Sequence, residues 1–328
     1  MPDIFRIFAS ELSPYSVKVR SYFRFKDLPH EWIIRAPSNM DTFRAYAKLP
    51  LVPLVITPDD EGWQDSTPII ERLEAAHPEP VLEPSDPTLA FLSALIEEYA
   101  DEWLNKPMFH LRWKEEADQI SASRRLAVLH MDASPDMLDD VAAKVRQRMV
   151  PRVSFVGSSP QTAPLIEQSL ERVLAILESH FANHAYLFGG RLCLGDLGLF
   201  AQLFQISTDP TPGAMMRERA PGVMAWIESL LTPAPGGAFA AWDDLAPTLR
   251  PLLVDEIAGL FLPWSVANAA AIEAGDETFS VDLADGPFSQ TPQKYHARSL
   301  AEIRRKYAAA TNPDLDAILE ETGCLGYL

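Results

Sequence analysis

The pattern of apolar and polar positions along the chain changes character near residue 80. Before it, short runs alternate. Ile4 to Phe8 is a brief β-like run, and Pro14 to Lys26 carries Val17, Val19, Tyr22, Phe23 and Phe25 at helical spacing. Glu31 to Ile34 reads as a second strand and Asp41 to Ala47 as a short helix, with Ser38 as its candidate cap. Leu51 to Thr57 is an apolar, β-branched strand interrupted by Pro53. The acidic turn Asp59-Asp60-Glu61-Gly62 leads to Trp63-Gln64 as a hairpin partner, and Thr67 to Ala76 closes the unit as a helix. The predicted order is β-α-β-α-β-β-α.

The stretch His77 to Pro87 is rich in proline and acid and reads as a linker. Helical periodicity follows. It predicts a segment from Thr88 to about Trp113 kinked at Pro107, and another from Pro135 to about Val150 with Ser134 as N-cap. Ala163 to His180, Asp196 to Gln205 and Pro221 to Leu231 follow. The last part adds a long apolar helix over Leu252 to Ala274, an irregular stretch around Thr278 to Gln293, and a charged helix from Ser299 to Ala310. The expected division is residues 1–80, 86–245 and a carboxy-terminal extension over 246–328, the extension packing on the helical part. The longest apolar tract, Ile257 to Ile272, is interrupted by Pro263, Ser265 and Asn268 and is short for a membrane span, so it reads as a buried helix.

Composition narrows the function classes. The 328 residues carry a formal net charge of −18, which would repel a nucleic-acid backbone or an anionic membrane surface. Cys193 and Cys324 make neither a disulfide framework nor a metal-ligand cluster, a usage that fits a reducing, cytoplasmic setting. MPDIFRIFAS lacks the charged start and apolar run of a signal peptide. The seven histidines show no metal spacing, and no metal is expected.

Three short motifs carry candidate chemistry. In Ser13-Pro14-Tyr15-Ser16 the proline sits at a first helical turn, which places Ser13 at the N-cap beside unpaired amide donors. Those donors and the helix dipole favour an anion there. A capping serine alone explains this local pattern equally well. In Val52-Pro53 the proline interrupts a strand, which makes sense as a cis-proline turning the Val52 amide and carbonyl toward a ligand, or as an ordinary edge-strand proline. In Gln64-Asp65-Ser66-Thr67-Pro68 a strand runs directly into a helix that Ser66 or Thr67 would cap. The same free amides suit a ligand carboxylate, and Asp65 suits a ligand ammonium.

The serine-proline-aromatic-serine order, then Val-Pro, then Asp-Ser, on this element order, resembles the amino-terminal domain of glutathione transferases. Ser13-Pro14-Tyr15-Ser16 also resembles the redox tetrad of glutaredoxins and omega-class transferases, with serine in place of cysteine. Leu187 to Asp196 is similar to the family's glycine-containing loop ahead of a buried capping aspartate, with Cys193 where Ser or Thr is usual. The resemblance covers residues 4 to 80 well and extends weakly to about 231. It implies an α/β thioredoxin-like domain followed by an all-α domain, with glutathione as co-substrate and a homodimer as the assembly.

By that resemblance glutathione lies extended on the first domain, its cysteinyl backbone pairing with Val52 beside Pro53. Its γ-glutamyl carboxylate meets Ser66 and its ammonium meets Asp65. Lys48 and Arg44 are the candidates for the glycyl carboxylate, ahead of Arg35. The sulfur rests near Ser13 and Pro14 as a thiolate, with Tyr15 and Ser16 as backup hydroxyls. Serine at position 13 cannot form a mixed disulfide, which favours conjugation, displacement or isomerisation of a small electrophile over thiol-disulfide exchange. The competing readings are a non-catalytic binding protein of the same fold and, within the family, a glutathione-dependent isomerase or ether-cleaving enzyme. Tyr99, Trp103 and His110, with Arg112 and Trp113, are expected along one wall of the electrophile pocket. Glu97, Glu98, Asp101 and Glu102 read as a solvated face.

Overall fold

The computed structural model describes residues 4–310 and 312–328. Its first unit follows the predicted order: β1 (Phe5–Ala9), α1 (Pro14–Phe25), β2 (His30–Ile34), α2 (Met40–Tyr46), β3 (Leu54–Ile56), β4 (Gly62–Gln64) and α3 (Ser66–Ala76). The sheet order is β2-β1-β3-β4. β1 runs parallel to β2, with Ile7 opposite Trp32, and antiparallel to β3, with Ile7 opposite Val55. The period-two alternation gives the sheet two apolar faces. Ile7, Ala9 and Val55 pack with Val17, Phe23, Ile69 and Leu73 of α1 and α3, whereas Phe8, Leu54 and Ile56 close over Phe43 of α2.

β3 is shorter than the periodicity suggested. Residues 48 to 51 pair with a side chain instead of a strand: the Gln64 amide nitrogen donates to the carbonyls of Leu49 (2.8 Å) and Leu51 (2.9 Å), and its oxygen accepts from the amides of Lys48 (2.7 Å) and Leu49 (3.0 Å). The expected cap at Ser38 does not form; α2 starts after Asn39, with no side-chain cap.

The helical part comprises α4 (Pro87–Glu102), α5 (Asn105–Lys114), α6 (Glu116–His130), α7 (Leu138–Met149), α8 (Ala163–Phe181), α9 (Leu194–Ser207), α10 (Pro210–Arg219) and α11 (Pro221–Ser229). α9, apolar all round, is its central helix and packs on α4 and α1. The break expected at Pro107 comes earlier, at Trp103 and Leu104, and Pro107 sits in the first turns of α5, where a missing amide costs little. α6 was not predicted. Its buried positions are Asp118, Ala122, Ser123 and Ala127, too small and polar to register as an apolar stripe. α7 begins at Leu138, so Ser134 and Pro135 lie in the turn before it.

α12 (Trp242–Pro251) passes through a widened π-helical stretch, Leu252–Phe261, into α13 (Leu262–Ala274), so the boundary expected at residue 245 falls inside a helix. This continuous helix, Trp242–Ala274, is long and apolar enough to cross a membrane by length and composition. Here Leu245, Leu249, Leu253, Ile257, Leu260 and Trp264 are buried in the protein's own core. The stretch expected to be irregular is a hairpin, β5 (Phe279–Leu283) and β6 (Gly286–Gln290). Gly286, at φ 126°, makes its turn possible. α14 (His296–Ala310) then lies on α4 and α13, and α15 (Pro313–Glu321) follows.

Candidate active site

Ser13 caps α1 from an extended conformation (φ −100°, ψ 118°), its hydroxyl oxygen accepting from the Ser16 amide at 3.3 Å. The hydroxyl's own proton has no acceptor among the described residues. Ser13 lines a cavity of about 310 Å³ together with Ser10, Pro14, Tyr15, Arg35 and Val52. Met108, Phe109, Trp113, Leu126 and Met149 supply its apolar side. The Val52-Pro53 bond is cis. Two motifs separated by 39 residues of sequence therefore converge on one cavity, between the sheet domain and α5, α6 and α7. A second, wider cleft of about 550 Å³ opens between α6 and α7 and shares no lining residue with it.

The backup hydroxyls are placed differently. Tyr15 donates to the Asp101 carbonyl at 2.9 Å, and burial next to Glu102 and Asp101 pushes its phenol well above the ordinary value. Ser16 is fully buried, its oxygen accepting from the Ser10 amide at 3.3 Å. Tyr15 has given its proton away and Ser16 does not line the cavity, which leaves Ser13 as the hydroxyl of this motif that offers the cavity a proton.

The cation assignment is corrected. Lys48 and Arg44 are exposed and do not line the cavity; Arg44 has its side chain 72% exposed and faces Asp41 at 3.8 Å. Arg35 does line it, anchored by one guanidinium nitrogen on the Pro50 carbonyl at 2.7 Å, and burial draws its pKa down. Arg112, also in the lining, is spent on Asp209 (2.8 Å), the Leu12 carbonyl (2.9 Å) and Gln205 (2.7 Å). Arg35 is thus the cavity cation without an ion pair among the described residues.

Tyr99, Trp103 and His110 do not reach the cavity. Tyr99 donates to Glu256 at 2.8 Å, Trp103 to the Ser169 hydroxyl at 3.0 Å, and His110 sits between Ser158 (2.8 Å) and Glu167 (3.0 Å). All three are buried. Their helical spacing reports core packing; of the expected wall Arg112 and Trp113 do line the cavity, joined by Met108 and Phe109 of α5 and by α6 and α7.

The acids of α4 are not a solvated face. Lys18, fully buried on α1, makes ion pairs with Glu97 and with Asp101 (2.7 Å), and Thr67 of α3 bonds to both Lys18 (3.2 Å) and Glu97. Burial alone would lower the lysine pKa; Asp101 and Glu97 outweigh it and hold the charge. This network ties α1, α3 and α4 directly behind the Asp65-Ser66 turn. That turn is itself unusual: Asp65 takes φ 78° and caps α3 without a side-chain bond, Ser66 is buried at the first helical position, and Thr67 turns away to Glu97. Neither Ser66 nor Thr67 acts as the expected cap. The Asp65 carboxylate accepts from the Tyr295 hydroxyl, contributed by the segment before α14. Asp65 and Ser66 lie outside the lining of the Ser13 cavity.

The sequence reading missed Ser10 and His130. His130 Nδ1 lies 2.8 Å from the Arg35 carbonyl, which only accepts, so Nε2 is left to accept from the Ser10 hydroxyl at 2.8 Å. Burial lowers the imidazole pKa, in keeping with a neutral ring. This bond joins the cavity edge to the end of α6. Its signal was faint, since His130 ends a helix the periodicity does not reveal. In the helical domain, Asp196 caps as expected: it accepts from the Leu187 amide (2.9 Å), the Cys193 amide (3.0 Å) and the Cys193 thiol (3.2 Å). The thiol enters that cap as a donor.

Residues 7–81 match the family model described as the glutathione S-transferase N-terminal domain, and residues 139–229 match that of the glutathione S-transferase C-terminal domain. Among solved structures, the chain is similar to the β-etherase LigF from Sphingobium sp. strain SYK-6, at 20% identity over 70% of this chain and 95% of that one, with a TM-score of 0.50. It is also similar to a glutathione S-transferase from Methylobacterium radiotolerans in complex with glutathione sulfonate, at 20% identity over 73% and 98% of the two chains (TM-score 0.45). A GST-like protein from Pseudomonas syringae shares 16% identity over 72% and 70% (TM-score 0.48). No curated protein matches the chain.

Proposed function

From the premise that this chain belongs to the glutathione S-transferase family, we propose that it binds glutathione as a thiolate at Ser13 and transfers it to a small electrophile. The observation that carries this reading is the free hydroxyl proton of Ser13 at the head of α1, in a cavity shared with Val52. A free thiol has a pKa of roughly 8.5, and bringing it down by about two units takes roughly 2.7 kcal/mol. A hydrogen bond to a charged acceptor contributes about 1.5–3 kcal/mol, and a helix terminus about 0.3–1 kcal/mol. One serine and one helix end therefore suffice, and Ser13 need act neither as base nor as nucleophile.

In this reading the cysteinyl backbone of the tripeptide pairs with Val52 as an added strand. Arg35 takes the glycyl carboxylate in preference to Lys48, because it lines the cavity and, unlike Arg112, has no ion pair among the described residues. The γ-glutamyl end reaches the α3 turn, where its ammonium would share Asp65 with Tyr295 and its carboxylate would meet Ser66. The electrophile occupies the side walled by Met108, Phe109, Trp113, Leu126 and Met149, an apolar surface that suits an uncharged organic substrate. Attack by the thiolate sulfur at an electrophilic carbon forms the C–S bond, and the displaced group leaves with the bonding pair. With serine at position 13 no protein sulfur is available there for thiol-disulfide exchange.

Calorimetric titration with glutathione tests the binding half of the proposal. Saturable binding by the wild type, retained in Ser13→Ala and weakened about tenfold in Arg35→Ala, is expected. A folded wild type that takes up no glutathione contradicts it and favours the non-catalytic reading.

A further inference from the structure

Outside the Ser13 cavity, the junction of α4, α13 and α14 brings together three donors that sequence spacing could not reveal. Glu98 and Glu102, four residues apart, lie on the same face of α4. His296, the first residue of α14, reaches them from almost two hundred residues later in the chain. One donor atom from each of the three lies within 4.8 Å of the others.

The histidine supplies the independent observation. It is 1% exposed, and its Nδ1 sits 3.0 Å from a Glu102 oxygen, yet that nitrogen makes no hydrogen bond among the described residues. The approach has the right length and the wrong direction for one. Its other nitrogen is held by the Ser265 hydroxyl at 2.6 Å. If Nε2 donates to Ser265, Nδ1 presents a bare lone pair to a carboxylate oxygen, an arrangement that is repulsive unless a cation lies between them. Donors bound to one zinc at about 2.0–2.2 Å lie roughly 3 to 4 Å from each other, which is the separation of Nδ1 from Glu102.

Charge points the same way. Among the described residues, no lysine or arginine comes within 4.0 Å of Glu98 or Glu102. Lys18 is taken by Glu97 and Asp101, and Lys106 by Gln290 (3.1 Å) and the face of Trp264 (3.7 Å). Two carboxylates therefore meet a histidine with no lysine or arginine in direct contact among the described residues, and buried Lys106 acts on Glu102 only from farther off.

We propose that Glu98, Glu102 and His296 form a three-ligand site for a divalent transition-metal cation, zinc or manganese, that fastens α14 to α4. One imidazole and two carboxylates suit those ions, and Ser265 orients the ligating ring from behind. The neighbouring Tyr295 carries the bond to Asp65, so the same fastening sets the position of that hydroxyl at the α3 turn. The proposal does not rest on the glutathione reading, although Tyr295 links the two sites.

The test uses the full, untagged chain, stripped with a chelator and titrated calorimetrically with zinc chloride and, separately, manganese chloride. Metal content after dialysis is read by mass spectrometry. About one equivalent per chain is expected, with a rise in melting temperature. The isosteric variants Glu98→Gln and Glu102→Gln should each weaken affinity at least tenfold and lose the thermal shift while keeping the wild-type circular dichroism. Ser265→Ala should weaken it about 10- to 100-fold. Absence of saturable binding by either metal, or equal binding by wild type and both glutamine variants, overturns the proposal.

Discussion

Ser13 and its neighbours illustrate how much one hydroxyl depends on what surrounds it. Tyr15, Ser16 and Ser10 all lie close by, but Tyr15 donates to the Asp101 carbonyl, Ser10 donates to His130, and Ser16 is fully buried and does not line the cavity. Among the described residues Ser13 is the cavity-lining one of these hydroxyls that keeps a proton to give. Ser13→Ala should therefore lower kcat about 10- to 100-fold, by the loss of about 1.5–3 kcal/mol of charged hydrogen bonding, and change KM for glutathione little. Steady-state kinetics with an aryl halide checks it. The two thiols should be silent in the folded protein. Cys193 and Cys324 are both fully buried, and burial pushes Cys324 up to about 11. A thiol-reactive chromophore should label neither until denaturant is added, and then both. That Ser13 and Val52 line one cavity was legible only from the motifs taken jointly, through the resemblance, since each proline motif alone fits a plain cap or an edge strand. Tyr99, Trp103 and His110 were misjudged because helical spacing marks a buried face without saying what covers it. Arg35, ranked behind Lys48 and Arg44 from the sequence, lines the cavity because its guanidinium is anchored on the Pro50 carbonyl, a contact that the sequence does not reveal.

Elements were legible where their apolar period is strong and capped. The first unit was read almost to its ends, and α8 and α9 nearly so. α6 escaped because it packs through alanine, serine and aspartate, and the β5–β6 hairpin because its residues contact α13 only after the chain returns. The acids of α4 misled for a different reason. Their partner, Lys18, lies on α1, and a charge run says nothing about a distant counter-ion. Lys18→Met should cost about 3–5 kcal/mol, because it leaves two buried carboxylates unpaired. Urea denaturation measures it. Loss of the α9 cap in Asp196→Ala should cost about 1–3 kcal/mol, since three donors lose their acceptor in a dry site.

At the scale of the whole molecule, the extension is part of one core. Ile303, Leu315, Ile318 and Leu319 are buried with residues of both preceding parts. Arg172 of α8 pairs with Glu256 (3.0 Å) and with Asp285 in the hairpin turn. Leu319→Ala should destabilise the protein by about 2–5 kcal/mol, with secondary structure and tryptophan fluorescence lost in one transition. Acid sensitivity has a named source in His180. Burial lowers its imidazole from 6.5 to about 4, so the unfolded chain takes up the proton first as pH falls. Its stabilising contribution is complete above pH 6.5 and is lost between there and pH 4, a change of roughly 3 kcal/mol. Whether Ser13 holds the thiolate is read from the thiolate absorbance of enzyme-bound glutathione titrated against pH. The wild type should show a midpoint about two units below the free thiol's roughly 8.5, and Ser13→Ala a midpoint near the free value. Identical midpoints in the two proteins would contradict the assignment of Ser13.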